Sequence, residues 1–131
     1  MARLVQIVID CVSPTRLAAF GAEALDDFDL RPYDDAEIDR LAGLGHTPAT
    51  DPCVILDGPG LEMCFQRVER APAAFKRPLH LDVATAQRAT EDAGLELLGA
   101  EVAAHFDRHT WMRDPEGNEF CVVDASPAAT P

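Results

Sequence analysis

The sequence predicts an α+β fold in which two tandem βαβββ modules form a curled mixed sheet around a cavity. Three matches in consistent order carry that prediction. Strand, helix and closing hairpin recur in each half, the hairpin DGPGLEMCF from Asp57 aligns with DPEGNEFCV from Asp114, and the opening strand VQIVID aligns with LHLDVA. The alignment sets Gln6 opposite His80, Glu62 opposite Glu119 and Cys64 opposite Cys121. The whole chain is then one domain, with module 1 over about 1–68, a linker over 69–78, module 2 over 79–124 and a loose tail over 125–131.

Each element has its own local signal. Leu4 to Ile9 is an apolar, β-branched run broken only by Gln6, which predicts a mostly buried first strand. Ser13 and Pro14 supply an N-cap and a first-turn proline, and Leu17, Ala18, Phe20, Gly21, Ala24 and Leu25 make an inward helical stripe. Phe28 to Tyr33 predicts a brief strand. Asp34 to Leu44 predicts a helix that turns Ile38, Leu41 and Leu44 inward and closes at Gly45. A proline-bearing loop from His46 to Pro52 leads to strands Cys53 to Leu56 and Leu61 to Val68, joined by Asp57-Gly58-Pro59-Gly60. In the second half, Leu79 to Ala84 predicts a strand, Thr85 to Ala93 a helix capped by Thr85 and ended by Gly94, and Glu96 to Ala104 a strand or strand-like segment. His109 to Arg113 and Glu119 to Asp124 form the last hairpin.

Bulk properties exclude whole classes of function. At 131 residues, 47% hydrophobic and 26% charged, the chain has the size and balance of one globular domain. Its formal charge of −12, from 23 acidic and 11 basic residues, repels phosphate backbones and anionic lipid, so neither nucleic acid nor membrane is an expected partner. The acidic run from Asp26 to Asp39 reads as a solvated face. Cys11, Cys53, Cys64 and Cys121 stand at wide spacings without a C-x-x-C, which argues against a zinc ribbon or a thioredoxin motif. The opening MARLVQIVIDC has too short an apolar run for a signal peptide, and no stretch approaches the ~20 residues of a membrane span. The expectation is a cytoplasmic protein with reduced thiols.

The closing WMRDPEGNEFCVVD, together with FQRV at Phe65 and LHLDV at Leu79, resembles the vicinal oxygen chelate superfamily, the group of glyoxalase I, bleomycin resistance proteins and extradiol dioxygenases. The resemblance runs from Leu4 to Asp124 and includes a bacterial glyoxalase-like subgroup. It implies that each module curls into a half-barrel and that two modules enclose a cavity. It also implies a divalent ion held by His or Glu from the first and last strands, which polarises two substrate oxygens, and a homodimer. Carried over position by position, the ligand places fall on Gln6, His80, Cys64 and Cys121. Gly21, where relatives carry a bulky aromatic, implies a locally enlarged cavity.

Three readings of that pocket are open. In one, the metal site is lost and Gln6, His80, Cys64 and Cys121 line a binding cavity, buried cysteine behaving as a small hydrophobe. In the second, Glu119 or Glu62 substitutes, and His80, Glu119 and Gln6 hold Mg, Mn, Ni, Zn or Fe. In the third, Cys64, Cys121 and His80 make a soft zinc site. Strand alternation puts Glu119 on the face of Cys121, and Glu62 and Gln66 on the face of Cys64. Asp82, two residues after His80, orients the imidazole or acts as a base, with Asp10 assigned the matching relation to Gln6, or else the aspartates cap a neighbouring loop or point to solvent at a strand end. Trp111 is either core packing or a substrate platform.

Three functions follow. The first is a metal-dependent isomerase or lyase, or a dioxygenase-type enzyme, acting on a small oxygenated metabolite, with Glu119 or Asp82 as ligand or base. The second is a metal-free ligand-binding or sequestering protein of the bleomycin-resistance kind, for which an acidic chain favours a cationic ligand. The third is an oligomeric partner within a larger pathway.

Overall fold

The computed structural model describes residues 1, 3–69 and 81–125. The linker over 70–78, the ligand position His80 and the tail beyond Ala125 lie outside the described residues. The chain divides into two compact units, Met1–Ala73 and Ala74–Pro131. Unit 1 runs β1 (Gln6–Cys11), α1 (Pro14–Ala24), β2 (Asp29–Leu30), α2 (Asp35–Gly43), a 3₁₀ turn (Pro48–Thr50), β3 (Cys53–Gly58) and β4 (Leu61–Arg67). Unit 2 runs β5 (Leu81–Thr85), α3 (Arg88–Leu97), β6 (Glu101–His105), β7 (His109–Arg113) and β8 (Glu119–Asp124).

The two sheets have one topology. Unit 1 orders its strands β1-β4-β3-β2 and unit 2 orders them β5-β8-β7-β6, each with the first strand parallel to the last and the remaining pairs antiparallel. The predicted repeat is therefore present as two α+β modules, with α2 and the 3₁₀ turn an insertion in the first. Even the register agrees: Val8 pairs with Cys64, and Asp82 pairs with Cys121.

In unit 1 the core lies between α1 and its sheet. Ser13 takes an extended N-cap conformation, Pro14 opens α1, and Leu17, Ala18 and Gly21 are buried on the side that meets β3 and β4. Leu56, Val54, Phe65 and Met63 come from the sheet to meet them. Gly21 corrects the expectation of an enlarged cavity: a Cβ there would stand 3.0 Å from Leu56 Cδ1 and 3.4 Å from the Phe65 ring. The missing side chain is taken up by close helix-to-sheet approach, on the face opposite the open one.

Readings of burial and of element boundaries are also corrected. β1 is an edge strand, so Leu4, Val5 and Val8 are exposed and only Cys11 of the strand is buried. The apolar run was not a sign of burial on both faces. In α2 only Leu41 is buried, whereas Ile38 and, just past the helix end, Leu44 are exposed. Thr85 ends β5 instead of capping a helix, and its hydroxyl accepts from the Gln87 N–H in a turn. Gly94 lies inside α3, which runs to Leu97 and stops where Gly99 takes φ +104. β6 accordingly begins at Glu101.

The β7–β8 turn matches the sequence reading residue for residue. Asp114 Oδ1 accepts from the N–H groups of Glu116 and Asn118, each at 2.9 Å, and its Oδ2 accepts from Asn118 Nδ2 at 2.8 Å. Burial pushes the Asp114 carboxyl above its ordinary range despite those bonds. Its titration thus favours the fold at pH below the unfolded carboxyl's pKa, and that contribution is lost as pH rises through the raised folded value. Asp114→Asn keeps the backbone acceptor and removes the titration. Its stability relative to the parent should rise across that window, ending within about 1 kcal/mol of it at neutral pH, whereas Asp114→Ala should cost about 2 kcal/mol in urea denaturation.

Candidate functional site

Both units leave one sheet face clear of their main helix, and alternation assigns the chemistry-bearing residues to it. In unit 1 that face carries Gln6, Val8 and Asp10 from β1, Cys53, Ile55 and Asp57 from β3, and Glu62, Cys64 and Gln66 from β4. Gln6 Nε2 donates to Glu62 Oε2 at 3.0 Å. Arg31, just after β2, reaches over the same row, its Nη2 lying 2.6 Å from both Glu62 Oε1 and Asp57 Oδ1 while its Nε donates to Asp57 Oδ2. The guanidinium holds the Asp57 carboxyl below its ordinary range, and the two carboxylates push the guanidinium up. Asp10 and Gln66 are exposed register partners at the far end of the strands.

Asp10 requires a correction. Asp82 pairs with Cys121, and the residue paired with Cys64 is Val8, so Val8 and not Asp10 is the counterpart of Asp82. Asp10 follows Gln6 by four residues, and nothing in module 1 reproduces the Asp82 carboxylate.

Next to the Arg31 row is a cavity of about 220 Å³, lined among others by Arg31, Tyr33, Glu37, Asp51, Cys53 and Ile55. Asp51 is buried and doubly bound, accepting from the Tyr33 hydroxyl at 2.7 Å and from the Cys53 N–H at 2.9 Å. Burial and that carboxylate raise the Tyr33 phenol above its ordinary value, so it stays a donor at neutral pH. Cys53 is exposed and its Sγ lies 2.8 Å from the buried Cys64 Sγ. Burial pushes the Cys64 thiol up to about 12, with the Cys53 hydrogen bond adding to the effect.

In unit 2, Thr110 and Met112 face α3, so Trp111 and Arg113 take the open face with their register partners Cys121 and Glu119. Asp82 joins them through its pairing with Cys121. Burial raises the Cys121 thiol, and the nearby carboxylates of Asp82 and Glu119 raise it further. Asp82, Glu119 and Cys121 are thus brought into one neighbourhood. Arg113 places its guanidinium carbon 5.2 Å from the Trp111 ring centroid.

The donor chemistry of the described residues does not fit a divalent ion in unit 1. Glu62 already accepts from the Arg31 guanidinium, and Gln6 is committed to Glu62. In unit 2 the described donors are the Asp82 and Glu119 carboxylates beside the Cys121 thiol. Among the described residues no three His, Cys, Asp or Glu side chains converge in a way that would hold a metal. Arg31, Tyr33 and Asp51 were not singled out in the sequence, because none belongs to a motif and each acts through a partner distant along the chain. The same holds for Cys53 as a partner of Cys64.

Comparison with known proteins agrees with this architecture. The model of the glyoxalase-like domain family matches residues 6–123. No curated protein sequence matches the chain. Among solved structures, the chain is similar to a glyoxalase/bleomycin resistance protein/dioxygenase family enzyme from Burkholderia phytofirmans PsJN, at 13% identity over 95% of this chain and 100% of that one, with a TM-score of 0.68. It is also similar to a glyoxalase family protein from Bacillus cereus, at 14% identity over 95% and 94% of the two chains and a TM-score of 0.62. TioX from Micromonospora sp. ML1 resembles it at 13% identity over 94% and 98%, with a TM-score of 0.59. At these identities the likeness is one of fold. The matched family model spans both modules, and the chain belongs to the glyoxalase-like domain family of the vicinal oxygen chelate superfamily.

Proposed function

We propose that this protein binds a small organic cation without the help of a divalent metal. The observation that carries the reading is the clasp of Arg31 across Asp57 and Glu62, which puts a fixed protein cation beside the β1 and β4 positions that hold the metal in the family's catalytic members. The adjoining cavity supplies Asp34, Asp51 and Glu37, the last of them paired with Arg40, and the arginine that lines it is already neutralised by carboxylates. Ile55 contributes an apolar wall. A net negative, partly apolar pocket of this size selects a compact amine over an anionic metabolite.

The test combines elemental analysis of protein purified without chelator with a thermal-shift and calorimetric screen of small primary to quaternary amines against Mg, Mn, Ni, Zn and Fe. Saturable stabilisation by an amine, with substoichiometric metal, is the expected result. Stoichiometric metal, or stabilisation by divalent ions alone, would overturn it in favour of metal-assisted isomerase or lyase chemistry at Asp82 and Glu119.

Arg31→Gln provides a sharper version. The pairs it breaks are about half exposed, so stability should fall by no more than about 1 kcal/mol. The freed Glu62 and Asp57 carboxylates should bind Mn²⁺ roughly tenfold more tightly than in the parent, as measured by calorimetry. The Asp57 carboxyl should also return upward toward its ordinary range, which carbon-13 NMR titration reads directly.

A further inference from the structure

We infer that Cys53 and Cys64 form an oxidisable dithiol, and that the site reacts with a peroxide to close a disulfide between β3 and β4. The inference is independent of the ligand proposed above. Cys53 pairs with Gln66 and Cys64 with Ile55, so the two cysteines are diagonal neighbours on one face of an antiparallel pair. Their sulfurs are already 2.8 Å apart, and a disulfide requires them only about 0.8 Å closer. Cys53 is the first residue of β3 and follows Pro52, so the small backbone adjustment falls at a strand end and not in the middle of a ladder.

The two thiols have unlike surroundings, which assigns their roles. Cys53 is exposed and lines the 220 Å³ cavity, giving a small oxidant access to its sulfur. Cys64 is buried, and its sulfur shares a hydrogen bond with Cys53 in which either thiol can be the donor. The Cys53 sulfur gives up its proton and attacks the peroxide; it takes one oxygen while the O–O bond breaks, and the other oxygen leaves as water after gaining that proton. The Cys64 sulfur then attacks the Cys53 sulfenic acid, the S–O bond breaks, and the departing hydroxide takes up the Cys64 proton as a second water. Two thiols are oxidised and one peroxide is reduced to two waters. Cys11 is buried and faces the α1 side of β1, and Cys121 is buried in unit 2, so neither competes for the oxidant.

The experiment treats the full chain, folded and reduced, with one to two equivalents of hydrogen peroxide, then denatures it and counts thiols. The count should fall from the four cysteines of the chain to two, with a mass loss of about 2 Da and a Cys53-to-Cys64 peptide link that dithiothreitol reverses. In Cys64→Ser, oxidation should stop at a Cys53 sulfenic acid that dimedone traps. In Cys53→Ser, the rate of thiol loss should fall at least tenfold. Four intact thiols under a dose that oxidises free glutathione would overturn the inference, as would linkage through Cys11 or Cys121. Dimedone trapping of Cys53 in the parent to the same extent as in Cys64→Ser would also overturn it. Mapping of the parent protein alone decides the question if a serine variant fails to fold.

Discussion

Leu56→Ala is expected to destabilise the protein by about 3–5 kcal/mol, a large part of the 5–15 kcal/mol typical of a domain. Leu56 is fully buried in β3 and points at α1, where its Cδ1 lies against the position a Gly21 side chain would fill. The cavity left by alanine cannot collapse easily. On one side stands a helix already at its closest approach, and on the other Leu56 is locked in register with Met63 and Leu30. Ile55→Ala, one residue away but half-buried on the open face, should cost about 1–2 kcal/mol. Urea denaturation of both variants measures the contrast. A Leu56→Ala loss no larger than that of Ile55→Ala would mean that α1 is not the seat of the unit 1 core.

The ease or difficulty of reading each element from sequence has a physical cause. The last hairpin was legible because Asp114 and Gly117 act within five residues, one as acceptor and the other through its backbone freedom at φ +83. The repeat was legible for a similar reason: identical topology imposes the same alternation on β4 and β8, and so the same glutamate and cysteine spacing. α3 was misread because Thr85 and Gly94 carry capping chemistry without being at helix ends. Thr85 uses its hydroxyl in a turn, and an interior glycine costs a helix only about 1 kcal/mol. β1 was misjudged because an apolar run records composition, whereas burial depends on having a neighbour on each side, and an edge strand lacks one.

The candidate site divides along the same line. Alternation alone grouped Glu119 with Cys121 and Glu62 with Cys64, and in unit 2 it brought Asp82 to them through strand pairing. Arg31 left no local trace, since it meets Asp57 and Glu62 across separations of 26 and 31 residues from a strand only two residues long. The cysteine pair was within reach of the sequence. A hairpin closed near Gly58-Pro59-Gly60 sends Cys53 and Cys64 back toward each other, but their contact depends on a register that the boundary of one turn decides. Taking Asp10 as the module 1 counterpart of Asp82 failed for a related reason, because a shift of two residues keeps the face and changes the neighbour.

Thr110→Val is the second substitution expected to cost several kcal/mol, about 2–4, although it preserves side-chain volume. The Thr110 hydroxyl is fully buried and donates to Asp92 Oδ2 at 2.6 Å, while accepting from Arg88 Nη1 at 3.3 Å. Arg88 itself spans Asp124 and the carbonyls of Phe106 and Asp107, so Thr110 links the α3 carboxylate to a cation tied to the β6–β7 loop. Asp92 is only 5% exposed, and its Oδ1 has no hydrogen-bond partner among the described residues. Valine therefore removes the strongest hydrogen bond to a buried carboxylate and offers nothing in exchange. Thr110→Ser, which keeps the hydroxyl, should lose about 1 kcal/mol or less. Asp92→Asn in the valine background should recover part of the loss, because an amide is far less costly to bury than a carboxylate left with His105 Nδ1 at 3.9 Å. A urea-denaturation double-mutant cycle should give a coupling of at least about 1 kcal/mol between positions 92 and 110. Additive losses would show instead that Arg88 reaches Asp92 without the threonine.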